Sequence, residues 1–202
     1  MVQKIALIEV PELKVTYELN GTTEVYSAVR NSYPKHSQLI IGGFLRDLVD
    51  VQITDMKIHD VEREEQYKAF VYGKGVIKCY RKGMSFDAVN SILQDSWLVG
   101  LTSNFTRSSG IVVDFIKHIK KINPHCKVVV GGIDATARFE HYLKNDADIV
   151  ILGEGEIIGR NVINALLKNR TLSNISGIAY FDSGKIIYNP RQLFSFVTIV
   201  CC

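Results

Sequence analysis

Along this chain, short apolar runs alternate with longer segments in which apolar residues recur every three or four positions. Ile5-Ala6-Leu7-Ile8-Glu9-Val10, closed by Pro11, has no helical period and predicts a buried strand. A polar stretch from Glu12 to Ser37 follows. Leu39, Ile40, Gly43, Phe44 and Leu48 then recur at helical spacing up to Val49, which predicts a first crossover helix. Val51, Ile53 and Met56 predict a second strand, whereas the charged segment from His59 to Lys78 shows no clear strand period. Ser85 is placed to cap a helix with Asp87 in its first turn and Val89, Ile92 and Leu93 behind it. Trp97 to Leu101 predicts the third strand. Ile111, Val112, Phe115, Ile116, Ile119 and Ile122 trace one face of an amphipathic helix that Pro124 ends. The β-branched runs Lys127 to Val130 and Ile149 to Leu152, stopped by Gly131-Gly132 and Gly153, give the fourth and fifth strands. Helical patterns at Ala135 to Lys144 and Ile157 to Leu167 follow them.

Strands alternating with helices specify an α/β fold: a doubly wound, five-stranded parallel sheet of the flavodoxin-like, Rossmann type, with strand order 2-1-3-4-5. Ile178 to Phe181, the turn Asp182-Ser183-Gly184-Lys185 and Ile186 to Tyr188 read as a C-terminal β-hairpin ended by Pro190. The expected division is an α/β domain over 1–170 and a hairpin extension over 171–202.

Composition narrows the class of partner. The 202 residues are 47% hydrophobic and 22% charged, with a net charge of +3 and interleaved signs, so no basic stripe suggests nucleic acid. The N-terminus lacks a signal-type apolar region with a cleavage site, and no run reaches membrane-spanning length, so a cytoplasmic protein is expected. Cys79, Cys126, Cys201 and Cys202 are too few and too irregular for a disulfide framework; Cys126 reads as a small buried hydrophobe, and the terminal pair, lacking a third partner, as incidental.

In an open parallel sheet, ligands bind beyond the carboxyl ends of the strands near the point where the order reverses. The loops there are Thr102-Ser103-Asn104-Phe105, Gly131-Gly132-Ile133-Asp134-Ala135-Thr136 and Gly153-Glu154-Gly155-Glu156. Each combines glycine, which lets a flat ligand approach the backbone, with hydrogen-bonding groups. Each alone also reads as an ordinary β–α turn with a capped helix. No G-x-G-x-x-G follows the first strand, and no phosphate loop or G-x-S-x-G elbow occurs.

Taken in order, WLVGLTSNFTRSSGIVVDFIKHIKKINPHCKVVVGGIDAT (97–136), NDADIVILGEGE (145–156) and ISGIAYFDSGKIIYNPRQ (175–192) resemble the N-terminal cobalamin-binding domain of cobalamin-dependent radical S-adenosylmethionine enzymes. Arg81 to Phe86 continues the likeness upstream. The resemblance implies that a corrin ring lies across the strand ends, contacted by Thr102, Ser103, Asn104 and Phe105, by Gly131, Gly132, Ile133 and Asp134, and by Gly153, Glu154 and Gly155. It implies cobalamin as cofactor, with cobalt brought by the corrin. An iron–sulfur cluster and S-adenosylmethionine enter only with a catalytic barrel, supplied in cis or in trans, toward which the hairpin extension would lead.

Two departures qualify the likeness. Cobalamin carriers of the mutase type place a cobalt-ligating histidine in D-x-H-x-x-G, but Asp55 to Asp60 here has Lys57 in its place and Asp60 where the glycine would be. No ligating histidine is therefore expected, and His36, His59, His118, His125 and His141 read as solvated. The cluster motif C-x-x-x-C-x-x-C is absent from the 202 residues, so no catalytic or metal-ligating residue is assigned. The resulting expectation is a cobalamin-binding module serving methyl transfer or a related radical reaction. The alternative is a degenerate Rossmann-like interaction domain that keeps the fold without the cofactor.

Overall fold

A computed structural model describes residues 2–25 and 36–191; Cys201 and Cys202 lie outside the described residues. The five expected parallel strands are present as β1 (Lys4–Glu9), β4 (Asp50–Asp55), β7 (Leu98–Thr102), β8 (Lys127–Gly131) and β9 (Ile149–Ile151). They lie in the order β4-β1-β7-β8-β9, which is 2-1-3-4-5. β1 is flanked by parallel neighbours on both sides, with Leu7 beside Ile53 and Gly100. The sheet order therefore reverses at β1, and the crevice that opens there lies between the ends of β1 and β7.

The hairpin forms as expected from β10 (Ile178–Asp182) and β11 (Lys185–Asn189), with Ser183 and Gly184 both at positive φ in a two-residue turn. It extends the main sheet, β10 running antiparallel to β9, so that among the described residues this sheet has seven strands.

Two stretches read as lacking strands form a second sheet. The segment after Pro11 folds as β2 (Glu12–Leu19) and β3 (Thr22–Val25), and the charged segment as β5 (Glu64–Tyr72) and β6 (Gly75–Lys82), ordered β3-β2-β6-β5. Leu13, Val15, Tyr17 and Leu19 alternate with Glu12, Lys14, Thr16 and Glu18, a period of two, and Asn20-Gly21 forms the turn with positive φ at both residues. On the charged face, Lys14 and Lys78 bridge to Glu64 and Glu18 at 2.8 and 2.6 Å. In β5 a bulge between Gln66 and Lys68 breaks the alternation. Val15, Tyr67 and Cys79 pack against the main core, and the Tyr67 ring reaches Gly110 near the first strand-end loop.

Helices cover both faces of the main sheet. They are α1 (His36–Leu45), α2 (Asn90–Asp95), α3 (Ser109–Ile122), α4 (Ile133–Ala137), α5 (Phe139–Leu143) and α6 (Gly155–Leu167). Ser85 caps the turn before α2 by accepting from the Ala88 N–H at 3.3 Å. The helix expected over Ala135 to Lys144 is two short ones hinged at Arg138. One core, under α2, α3 and α5, gathers Ala6, Ile8, Val99, Phe115, Ile116 and Tyr142; the other, under α1 and α6, gathers Ile5, Leu7, Leu45, Leu98, Val162 and Ile163. Cys126 is buried, which raises its thiol pKa to about 11.

His118 corrects the expectation of solvated histidines. Its side chain is 14% exposed, it stacks on Phe115, and its Nε2 lies 2.8 Å from Asn90 Oδ1. Burial lowers its pKa. His36, His59 and His125 are exposed as expected, and His141 is half-buried. No helix among the described residues is long and apolar enough to cross a membrane.

Candidate functional site

The three strand-end loops are tied into one shelf. The Ser103 carbonyl, just past β7, accepts from the N–H groups of Asp134 and Ala135 at 3.1 and 3.3 Å, and Ser103 N–H donates to Gly131 at 2.8 Å. Asn104 Oδ1 accepts from Ile133 N–H at 3.2 Å. This close approach requires Gly132: its φ is +105°, and a Cβ there would stand 2.4 Å from the Ser103 carbonyl oxygen. The third loop joins through Gly153 N–H, which donates to the Thr136 hydroxyl at 3.1 Å.

Behind the shelf lies a buried polar network. Asp134 is 4% exposed and accepts two bonds from Arg138, at 3.0 and 2.7 Å, one from Thr106 at 2.6 Å and one from the Tyr142 hydroxyl. Tyr142, whose O–H donates to Asp134, accepts from Ser103 Oγ at 2.7 Å. Burial alone would raise the Asp134 carboxyl, but bonds from Arg138, Thr106 and Tyr142 outweigh it and hold the pKa at about 2. Burial, and then the Asp134 carboxylate, push Tyr142 up to about 12. The network stays ionised and neutral, respectively, near pH 7 and fixes the first loop against the second.

In front of the shelf, a cleft of about 620 Å³ opens between the sheet, α1 and α6. This is the size and apolar character of a small-molecule site. Its floor is Leu7, Gly100, Val129 and Ile151; its walls include Gln38, Ile41 and Leu45 of α1 and Gly159 and Val162 of α6. Of the sequence-predicted residues, Thr102, Asn104, Gly131, Gly132, Ile133, Gly153, Glu154 and Gly155 line it. Ser103 and Asp134 face away from it, into the network. Phe105, 60% exposed, borders a smaller pocket on the far side of the first loop, together with Asn104 and Lys57.

Lys57 stands where a cobalt-ligating histidine was sought. Its ammonium is paired with the buried Glu9 carboxylate at the end of β1. A protonated amine has no lone pair to give a metal. Among the described residues no group of His, Cys, Asp and Glu is arranged to hold a metal ion.

The α1 wall and Gly100 were not anticipated as site elements. The signal was available in α1, whose exposed Leu39, Ile40 and Phe44 stand opposite Ile41 and Leu45, making it apolar all round. The rim also exposes Ile133 and Ile157, 76% and 60% accessible, beside the glycines. Exposed apolar side chains around a cleft mark a contact surface. A flat disc with an apolar face, an amide-bearing edge and a slender tail fits such a shelf and cleft, and a metal carried inside the disc needs no protein ligand set.

Comparisons with known proteins agree with this geometry. Residues 87–163, which include all three loops, match the family described as B12 binding domain. An uncharacterized methyltransferase of Pyrococcus horikoshii is 29% identical over 121 residues, covering 58% of this chain and 26% of that protein. The anaerobic magnesium-protoporphyrin IX monomethyl ester cyclase of Rubrivivax gelatinosus is 32% identical over 79 residues, covering 36% of this chain and 14% of the cyclase. The chain thus spans about a quarter or less of these relatives. The structure of the cobalamin-dependent S-adenosylmethionine radical enzyme OxsB with aqua-cobalamin bound superposes with a TM-score of 0.63 at 17% identity, over 95% of this chain and 23% of that one. The radical S-adenosylmethionine methyltransferase TsrM from Kitasatospora setae gives 0.62 at 15% identity, over 93% and 30%. Residues 87–163 thus match the B12 binding domain family, and the fold resembles that of the cobalamin-dependent radical S-adenosylmethionine enzymes.

Proposed function

We propose that this chain holds cobalamin with the corrin ring across the strand-end shelf and the nucleotide tail in the cleft. The observation that carries the reading is the coincidence of two things: the segment matching the B12 family supplies the shelf, and the shelf stands at the mouth of an apolar cleft of about 620 Å³. Asn104 spends its Oδ1 on Ile133 N–H, so its Nδ2 is left to donate to a corrin amide. The Thr102 hydroxyl and the exposed Glu154 carboxylate add a donor and an acceptor for other amides. Gly132 keeps the backbone low enough for the ring to rest on, while Ile133 offers it an apolar contact. The buried network around Asp134 keeps these groups in place without touching the ligand.

Bound cobalamin supplies a cobalt–carbon bond for methyl transfer or one-electron chemistry. Lys57, held by Glu9, contributes a charge beside the shelf and no ligand to the metal. The reaction served is a radical S-adenosylmethionine reaction, and its catalytic barrel acts in cis or in trans.

Titration with hydroxocobalamin, followed by visible absorption, tests the reading. A saturable spectral change at micromolar ligand is expected, with a rise in melting temperature because only the native state binds. A flat titration and an unmoved melting temperature would overturn it.

A further inference from the structure

The second sheet leaves one edge open. β5 is its outermost strand and, at nine residues, the longest strand described; no strand among the described residues pairs with its outer side. The other sheet edges are guarded: β3 has four residues and carries Glu24, β4 has an aspartate at each end, and β11 begins at Lys185 and stops before Pro190. β5 is guarded along its first half alone, by Glu64, Glu65, Lys68 and the bulge between Gln66 and Lys68. Its second half, Ala69 to Tyr72, has no charge, proline or bulge, and Phe70, Val71 and Tyr72 are 51%, 78% and 65% exposed.

The turn after β5 decides which backbone groups face outward. Gly73 and Lys74 form a two-residue turn closed by the Tyr72–Gly75 pair, which in a hairpin of this length is hydrogen-bonded. Bonded and non-bonded pairs alternate, so Phe70 commits its N–H and carbonyl to Ile77, while Ala69 and Val71 aim theirs away from β6. Lys68, Phe70 and Tyr72 share one face of the strand.

We infer that two copies of this chain join edge to edge through β5, antiparallel, about a two-fold axis at Phe70. In that register Ala69 of each copy meets Val71 of the other, and each such pair exchanges both of its N–H···O bonds. Phe70 faces its own copy at a non-hydrogen-bonded site, where side chains come closest, and Lys68 faces Tyr72. Lys68 Nζ already stands 4.6 Å from the centroid of its own Tyr67 ring, so a second ring extends a cation–π contact that exists in the single chain. Neighbouring registers are worse. An axis at Val71 sets Lys68 against Lys74, like against like, and an axis at Ala69 sets Val71 against Tyr67 in the bulge. The charge pattern thus selects one self-pairing, and a second copy is the occupant it describes. This contact is separate from the corrinoid shelf and stands whether or not cobalamin binds there.

Sedimentation velocity of the full chain, from about 5 μM to about 500 μM, spans the weak association expected of so small a contact. Wild type should pass reversibly from one chain to two as concentration rises. Val71→Pro removes the outward N–H and leaves the ladder to β6 intact, and Phe70→Lys sets two ammonium groups face to face at the axis. Each should weaken association about tenfold or more, whereas Val71→Thr, which keeps both backbone groups, should stay within about twofold. Because Phe70→Lys alters no backbone donor and Val71→Pro adds no charge, loss of pairing in both points to this strand. Melting temperatures at the lowest concentration should agree with wild type within about 3 °C, since the substituted side chains are exposed. A single chain at every concentration, association that survives both substitutions, or growth beyond two chains would each overturn the inference, the last because a two-fold contact closes on itself.

Discussion

The two faces of the central sheet are made from the same strands yet packed to different ends. Along β1, Ala6 and Ile8 feed one face and Ile5 and Leu7 the other; along β8, Val128 and Val130 oppose Val129. The first face is closed. Phe115, Ile116 and Tyr142 are fully buried in it, and Phe86 meets Phe115 edge-on with ring centroids 4.9 Å apart. The second face is open at its carboxyl end, where Gly100 stands in the floor and α1 and α6 leave the cleft between them. A void on one side of a sheet is tolerable when the other side is packed to the density of an ordinary interior and the loops at the rim are bonded to each other. Rigidity and ligand space are thus assigned to opposite faces of one set of strands.

The sharpest way to break this division is to damage the closed face and ask whether the open one notices. Phe115→Ala should cost about 4 kcal/mol of stability by denaturant unfolding, the loss expected for a fully buried phenylalanine. The folded fraction should keep its corrinoid affinity within about twofold; a large loss would show that the faces are coupled. Asp134→Asn comes next, with about 3 kcal/mol lost, because Arg138 and Tyr142 are left with a neutral partner in a buried site. This substitution acts on the shelf, so corrinoid affinity should fall with stability.

The same carboxylate predicts a pH dependence. Its folded value of about 2 lies below its ordinary 3.8, so its contribution is fully present above about pH 4 and is lost as pH falls toward about 2. Unfolding curves between those limits should slope more steeply for wild type than for Asp134→Asn. Equal slopes would mean that the network is not formed in solution.

The closed face was far more legible in the sequence than the open one, and the reason is periodicity. Ile111 to Ile122 repeats its apolar residues at helical spacing because a full face of α3 is buried, and β8 and β9 are continuous β-branched runs because both their sides are covered. The strand-end loops were legible as positions but not as orientations: Asn104 and Gly132 face the cleft, while Ser103 and Asp134, one residue from a cleft-lining neighbour, turn into the network. Nothing in a run of polar residues tells which will find a buried partner. The second sheet was missed for two different reasons. β2 and β3 carried a readable alternation and an Asn-Gly turn that the high charge of the segment obscured, whereas in β5 the bulge near Tyr67 shifts the period itself. The α1 wall escaped because Leu39, Ile40 and Phe44 were read as its packed face, whereas they are exposed and Ile41 and Leu45 on another side border the cavity.

Gly100 gives the finest test of the comparison, because there the two faces predict effects of opposite sign. A Cβ at this position would meet Leu7 Cδ2 at 2.7 Å, the far end of a flexible side chain that borders the cleft. Gly100→Ala should therefore be accommodated by Leu7 swinging into the open space rather than by movement of the backbone. Relieving the entropy cost of a strand-interior glycine should raise stability by roughly 0.5 kcal/mol. The displaced Leu7 should meanwhile occupy room the ligand needs, and corrinoid affinity should fall about tenfold, which is about 1.4 kcal/mol. Thermal melts without ligand and a hydroxocobalamin titration read the two effects separately. A loss of stability with unchanged affinity would place the tightness in the sheet and not in the cleft, and the floor would then have no part in holding the tail.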